Sequence, residues 1–95
     1  MKIIELDLTG CKYIAEVHER IRVAFDFPKW YGKNWSAFWD LLWSECEADE
    51  VVIKGEDSLP DELKKHIDML HRILEKEVAF RNDNLLNPFS YQITR

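Results

Sequence analysis

Hydrophobic and polar positions alternate within residues 2–8 and again within 89–94. A period of two puts successive side chains on opposite faces, so both segments are predicted strands with one more polar face. Between them, Val51, Val52 and Ile53 form a β-branched run, which is typical of a strand buried on both faces. We therefore expect this run to be the central strand of a sheet whose edges are the two alternating segments.

Three segments between these strands carry apolar residues at helical spacing, at 12–25, from Asn34 to about Cys46, and from about Ser58 to Ala79. Asn34 is an acceptable N-cap for the second helix. Ser58, followed by a proline and an acid, is typical of a helix start. The apolar stripes are Ile14, Val17, Ile21, Ala24 and Phe25; Trp35, Phe38, Trp39, Leu42 and Cys46; and Leu63, Ile67, Leu70, Leu74 and Val78.

The predicted order is strand, helix, helix, strand, helix, strand. Strands separated by helices pair in parallel, which predicts an α/β fold with a three-stranded parallel sheet and a layer of helices. The 95 residues suffice for a single domain spanning 1–95. No stretch approaches the roughly 20 apolar residues that cross a bilayer, and acids interrupt the first apolar segment, so neither a membrane span nor a signal peptide is expected. The predicted location is cytoplasmic.

Charge is unevenly distributed along the chain. Residues 34–62 contain nine acidic residues and one basic residue, whereas the chain as a whole has a net charge of −5. A negative field of this kind repels nucleic acid and attracts a basic protein. The alternative is an acidic surface that only aids solubility.

The sequence has few of the residue patterns that are typical of an enzyme active site or a metal site. Cys11 and Cys46 belong to no CxxC pair and have no histidine at ligand spacing, so we predict two reduced thiols, with a disulfide between them as the alternative. His18, His66 and His71 lie within or beside apolar stripes, as core or edge histidines do. The chain has three glycines and no glycine-rich phosphate loop. We predict no catalytic residue, no metal and no cofactor.

Six large aromatic residues are concentrated within residues 27–39. Trp35 and Phe38 fall on the buried stripe of the second helix and are predicted core residues. Trp30 and Tyr31 precede that helix in a loop, where aromatic side chains belong to the core or contact a partner.

The second helix also has a polar side, which includes Ser36 and Asp40. Trp39 borders this side and Trp43 lies at its boundary with the apolar stripe. In the preceding loop, Gly32 can take a positive φ. An exposed Asp on an amphipathic helix is usually only a solvated residue, so the spacing alone assigns Asp40 no function.

The string Pro-x-Trp-Tyr-Gly-Lys-Asn-Trp-x-Ala-Phe-Trp-Asp at 28–40 resembles the loop and second helix of the barstar family. The resemblance is close over about 25–43 and extends elsewhere to length and element order. It implies a three-stranded parallel sheet with helices, a bacterial cytoplasmic protein, and one-to-one inhibition of a small secreted ribonuclease. It also implies that the chain is not an enzyme.

The resemblance further implies a partner-binding surface centred on Asp40, whose carboxylate takes the place of a phosphate in a cationic cleft. The predicted contact residues are Trp30, Tyr31, Gly32, Asn34, Ser36, Trp39, Asp40 and Trp43. Ser36 departs from the family pattern, because the best-studied member has an acid on that turn, and Lys33 stands where an acid is common. A further acid on the third helix has two possible equivalents, Glu75 and Glu77.

Three functions remain open at this point. The first is inhibition of a basic, barnase-like ribonuclease. The second is an immunity or interaction module whose partner is a different toxin or a regulatory protein, which Ser36 and Lys33 favour. The third is a small enzyme that uses Asp40 and a nearby histidine as acid and base, against which the lack of a pocket motif argues.

Overall fold

The structure is a computed structural model, which describes residues 2–94. Three strands and three α-helices follow one another along the chain. They are β1 (Ile3–Asp7), α1 (Ile14–Phe25), α2 (Trp35–Glu45), β2 (Glu50–Lys54), α3 (Asp61–Asp83) and β3 (Ser90–Ile93), with a short 3-10 helix at Glu56–Ser58 before α3. The predicted order of elements is confirmed.

The sheet is parallel and its strand order is β1-β2-β3. Ile4 lies opposite Val51, which in turn lies opposite Tyr91. The predicted α/β class and the central position of the β-branched strand are therefore confirmed.

Only one face of β2 is fully buried. Val51 and Ile53 are inaccessible to solvent, whereas Val52 between them is half-buried. On its own face Val52 pairs with the polar residues Glu5 and Gln92, and burial alternates along β1 as well. The prediction that β2 is buried on both faces is wrong, because the apolar core packs against one side of the sheet and leaves the other partly open.

The helix ends differ from prediction where local hydrogen bonds decide them. Helix α1 begins at Ile14, not at residue 12, because the carboxylate of Glu16 accepts hydrogen bonds from the backbone N–H groups of Lys12 and Tyr13, at 3.0 and 3.1 Å. Ser58 closes the 3-10 helix, and its hydroxyl donates to the carbonyl of Gly55.

Helix α3 is longer at its C-terminal end than its apolar stripe predicts. It begins at Asp61, after Pro60, and ends at Asp83, about one turn beyond the predicted end at Ala79. The additional turn carries Phe80 and Arg81. Phe80 contributes to the candidate surface described below, and Arg81 lines a cleft beside it.

Buried Arg81 ties the end of α3 to the connection between α2 and β2. Its guanidinium donates to the backbone carbonyls of Ala48 at 2.8 Å and Cys46 at 3.2 Å, and it lies 4.7 Å from the ring centre of Phe89. Charge-assisted hydrogen bonds of this kind compensate for the burial of a cation. The arrangement fixes where α2 ends.

Both cysteines are free thiols, with Cys11 buried and Cys46 half-buried, which agrees with the predicted reduced state rather than with a disulfide. Burial raises the pKa of each thiol. Within residues 2–94, no helix combines the length and apolar character needed to span a membrane.

Candidate partner-binding surface

Helix α2 begins at a well-formed N-cap. The side-chain oxygen of Asn34 accepts a hydrogen bond from the backbone N–H of Ala37 at 2.8 Å, as the sequence predicts for this residue. Its amide nitrogen donates to the carbonyl of Gly32 at 3.2 Å. Asn34, predicted as a contact residue, thus holds the loop and the first turn of α2 together.

The left-handed residue in this loop is Lys33, with φ 52°, and not Gly32. Gly32, which can take a positive φ, does not do so here, and a close approach accounts for the glycine instead. A Cβ at residue 32 would lie 3.2 Å from the amide nitrogen of Asn34 and 3.3 Å from Cβ of Ala37. The ammonium of Lys33 lies 3.4 Å from the carboxylate of Glu19 on α1, so its charge has a partner within the chain.

Tyr31 supports the loop from inside the core. Its ring is only 3% exposed, and its hydroxyl shares a hydrogen bond of 2.7 Å with Nδ1 of buried His18. The His18 ring packs in turn against Trp35, with ring centres 4.4 Å apart. Burial raises the pKa of Tyr31 and lowers that of His18 to about 4. Of the two roles left open for Tyr31, the ring takes the one in the core and is inaccessible from outside, and a contact between Tyr31 and a partner stays a prediction.

Trp30, the preceding residue, has the opposite environment. Its side chain is 75% exposed, although it is a large aromatic residue. Since Tyr31 and Phe27 beside it are buried, the loop is anchored while Trp30 remains outside. This is the geometry expected of a contact residue.

Asp40 lies exposed on α2, and Ser36 lies exposed one turn before it. Within the described part of the chain, no ion pair or side-chain hydrogen bond involves the carboxylate of Asp40. The hydroxyl of Ser44 donates to the backbone carbonyl of Asp40, which leaves the carboxylate free to accept hydrogen bonds from another molecule. Opposite it on the helix, Phe38 and Leu42 are fully buried, so α2 holds Asp40 on a rigid support.

Aromatic rings from two helices flank Asp40. Trp39 is half-buried and Trp43 is 49% exposed. Both rings contact Phe80 on α3, with ring centres 6.4 and 6.2 Å apart. The ammonium of Lys76 lies 4.5 Å from the ring centre of Trp39, within the range of a cation–π interaction.

The chain also matches a known protein family. The family model described as Barstar (barnase inhibitor) matches residues 1–92. The chain belongs to the barstar family. Members of this family are inhibitors and not enzymes. A search of curated proteins found no match.

Neither Glu75 nor Glu77, the two candidates for the further acid of the barstar family, is both exposed and without a hydrogen-bond partner. Glu75 accepts a hydrogen bond of 2.6 Å from the hydroxyl of Tyr91, and Glu77 is 1% exposed. Lys76 between them reaches the aromatic rings instead. On the α3 side of the candidate surface, the charge next to Trp39 is therefore the positive one of Lys76.

Sequence reasoning missed Lys76 and Phe80 as members of the surface. Phe80 lies beyond the predicted end of α3, and Lys76 precedes it by one helical turn. The i, i+4 spacing would have placed both residues on one face had the helix been extended. Their proximity to Trp39 depends on how α2 packs against α3, which periodicity does not reveal.

Not all of the acids in 34–62 contribute to one negative surface. Asp49 accepts the backbone N–H of Lys2 at 2.8 Å, and Glu56 lies 2.7 Å from Nε2 of His71. Glu45 and Glu47 are exposed near the end of α2. Among residues 2–94, no three His, Cys, Asp or Glu side chains are grouped so as to hold a metal ion.

Proposed function

We propose that this member of the barstar family inhibits a barnase-like ribonuclease by inserting Asp40 of α2 into the active site of that enzyme. The exposed and unpaired carboxylate of Asp40, on a helix anchored by its opposite side, is the observation that carries the proposal. Trp30, Trp39 and Trp43 supply the surrounding contact area. A one-to-one complex and a cytoplasmic location remain predictions from the sequence resemblance.

The chemistry of a ribonuclease active site explains why a single carboxylate can block it. A ribonuclease binds the phosphate of its substrate, so its active site gathers cationic side chains. A carboxylate accepts charge-assisted hydrogen bonds from those groups in the geometry that a phosphate oxygen would use. The surrounding rings exclude water from the contact and so strengthen it.

The test is a titration of barnase activity with the purified chain. We expect activity to fall to zero near one equivalent. Asp40→Asn removes the charge with little change in shape and should weaken inhibition strongly. The loss should correspond to roughly 2–5 kcal/mol, a range to which complexes of this family have themselves contributed.

Asp68→Asn is the matched control, because Asp68 is an exposed acid of α3 outside the proposed surface. It should leave inhibition unchanged. Equal inhibition by wild type and Asp40→Asn would contradict the role of Asp40 as a phosphate mimic.

A second function is favoured by the charges around Asp40. Ser36 carries no charge, and Lys76 adds a positive one beside Trp39. Such a surface suits a partner that is less uniformly cationic than a ribonuclease active site, as in immunity to a different toxin or binding of a regulatory protein. Failure to inhibit barnase, together with capture of another protein that depends on Asp40, would favour this function.

A further inference from the structure

A cleft lies beside the Asp40 surface, between the C-terminal ends of α2 and α3. It has a volume of about 470 Å³. The residues of its lining that bear on its chemistry are Trp43, Glu47, Asp49, Glu77, Phe80 and Arg81.

Glu77 is the unusual member of this lining. Its side chain is 1% exposed, and neither carboxylate oxygen has a hydrogen-bond donor within residues 2–94. The nearest cation, Arg81, lies 3.8 Å from one oxygen, which is too far for a hydrogen bond. The guanidinium of Arg81 instead donates hydrogen bonds to the carbonyls of Ala48 and Cys46. A buried acceptor without a donor is rare in folded proteins and indicates a missing ligand, water or proton.

The rest of the cleft favours a cation as that ligand. Glu47, Asp49 and Glu77 place three carboxylates in the lining against the single guanidinium of Arg81. Two walls are the rings of Trp43 and Phe80, whose centres lie 6.2 Å apart. Aromatic faces attract ammonium and guanidinium groups, and their apolar area accommodates the aliphatic part of a long basic side chain.

We propose that this cleft binds an arginine or lysine side chain of the same protein partner that Asp40 engages. The inference deepens the proposed function and rests on it for the identity of the partner. Trp43 follows Asp40 by three residues on α2, about 4.5 Å along the helix axis. One partner surface can therefore reach both the carboxylate and the cleft.

The experiment is an NMR titration of the whole chain with arginine amide, followed through the indole N–H of Trp43 and the backbone N–H of Asn87, which also lines the cleft. Citrulline amide is the matched probe, because its side chain has nearly the same shape but carries no charge, while the α-amino group is the same in both molecules. We expect saturable shifts with arginine amide and at least about tenfold weaker binding of citrulline amide, as expected when a charge-assisted hydrogen bond is lost. Glu77→Gln should reduce the affinity for arginine amide about fivefold or more, whereas Asp68→Asn should not.

Two further variants keep the test decisive if Glu77→Gln does not fold. Glu47→Gln removes an exposed charge of the lining, and Trp43→Leu removes a ring face while keeping an apolar side chain. Each should weaken binding of arginine amide. Equal binding of arginine and citrulline amides, or shifts that do not saturate, would overturn the proposal and leave Glu77 paired with water or a proton.

The outcome separates this proposal from the proposed function. Inhibition of barnase without specific binding of arginine amide would overturn the cleft and leave the Asp40 mechanism intact. Specific binding of arginine amide without inhibition of barnase would support the cleft and overturn the ribonuclease as partner.

Discussion

The two sides of α2 have opposite environments within a single helix. On one side, Phe38 and Leu42 are fully buried. On the other, Ser36 and Asp40 are exposed, and the Asp40 carboxylate has no ion-pair partner among the residues that the structure describes. The contrast teaches that the residues that hold the core and the residues that are open to a partner are different here, although they are interleaved along eleven positions of the chain.

The largest effect is expected from removing the central ring of the buried side. Phe38 packs against Phe25, Phe27 and Trp35, with ring centres 5.4 to 6.2 Å apart. Phe38→Ala leaves a cavity and should lower the free energy of unfolding by about 3–5 kcal/mol, measured by urea denaturation. Ser36→Ala on the opposite side should change it by less than about 0.5 kcal/mol. Equal losses in the two variants would abolish the distinction between the sides.

The next largest effect is the dependence of stability on pH, which is expected from the buried cluster of His18, Tyr31 and Trp35 beneath the loop. Burial lowers the pKa of His18 to about 4 from its ordinary value of 6.5. As the pH falls below 6.5, the unfolded chain takes up a proton at His18 that the folded chain does not, so stability falls until about pH 4. Between pH 7 and pH 5 this should cost about 2 kcal/mol, read from urea denaturation at the two pH values.

His18→Gln provides the comparison for the pH effect. It removes the titrating group but keeps a polar side chain next to Tyr31, and it leaves the other histidines and the carboxylates in place. The variant should lose most of the decrease in stability between pH 7 and pH 5. An unchanged decrease would show that another group is responsible.

A smaller effect tests whether the N-cap of α2, which holds the start of the helix for both of its sides, contributes to stability. Asn34 caps α2 through the N–H of Ala37, so Asn34→Ala should lower the free energy of unfolding by about 1 kcal/mol in thermal or urea denaturation. Asn34→Ser, which retains a capping oxygen, should recover most of that loss. If Asn34→Ala left stability unchanged, the start of α2 would be held by core packing alone.

The smallest change in stability is expected on the exposed side of α2, at Asp40. Asp40→Ala should change the free energy of unfolding by less than about 0.5 kcal/mol, because its carboxylate has no partner within the described residues. Circular dichroism with urea denaturation would measure this in the protein used for inhibition. A large loss of stability would mean that Asp40 supports the fold as well as the proposed contact.

Prediction from sequence succeeded and failed for identifiable reasons. The cap at Asn34 and the exposure of Asp40 depend on neighbours within one or two helical turns, so spacing revealed both. For Tyr31 the sequence left open a role in the core or in a contact, because its burial depends on His18, thirteen residues earlier. The final turn of α3 was missed because the predicted apolar stripe ended at Val78, whereas the buried residue of that turn, Arg81, is charged.

The sequence by itself determined the α/β order, the parallel sheet with its β-branched centre, the cap of α2, and the exposed acid among aromatic residues. These features follow from periodicity and local hydrogen bonding, which act over a few residues. Only the tertiary structure decided which aromatic rings were left outside, which charges were paired, and that Lys76, Glu77 and Phe80 adjoin α2. Those features depend on contacts between residues distant in the chain, whose burial and pairing are set by how whole elements pack together.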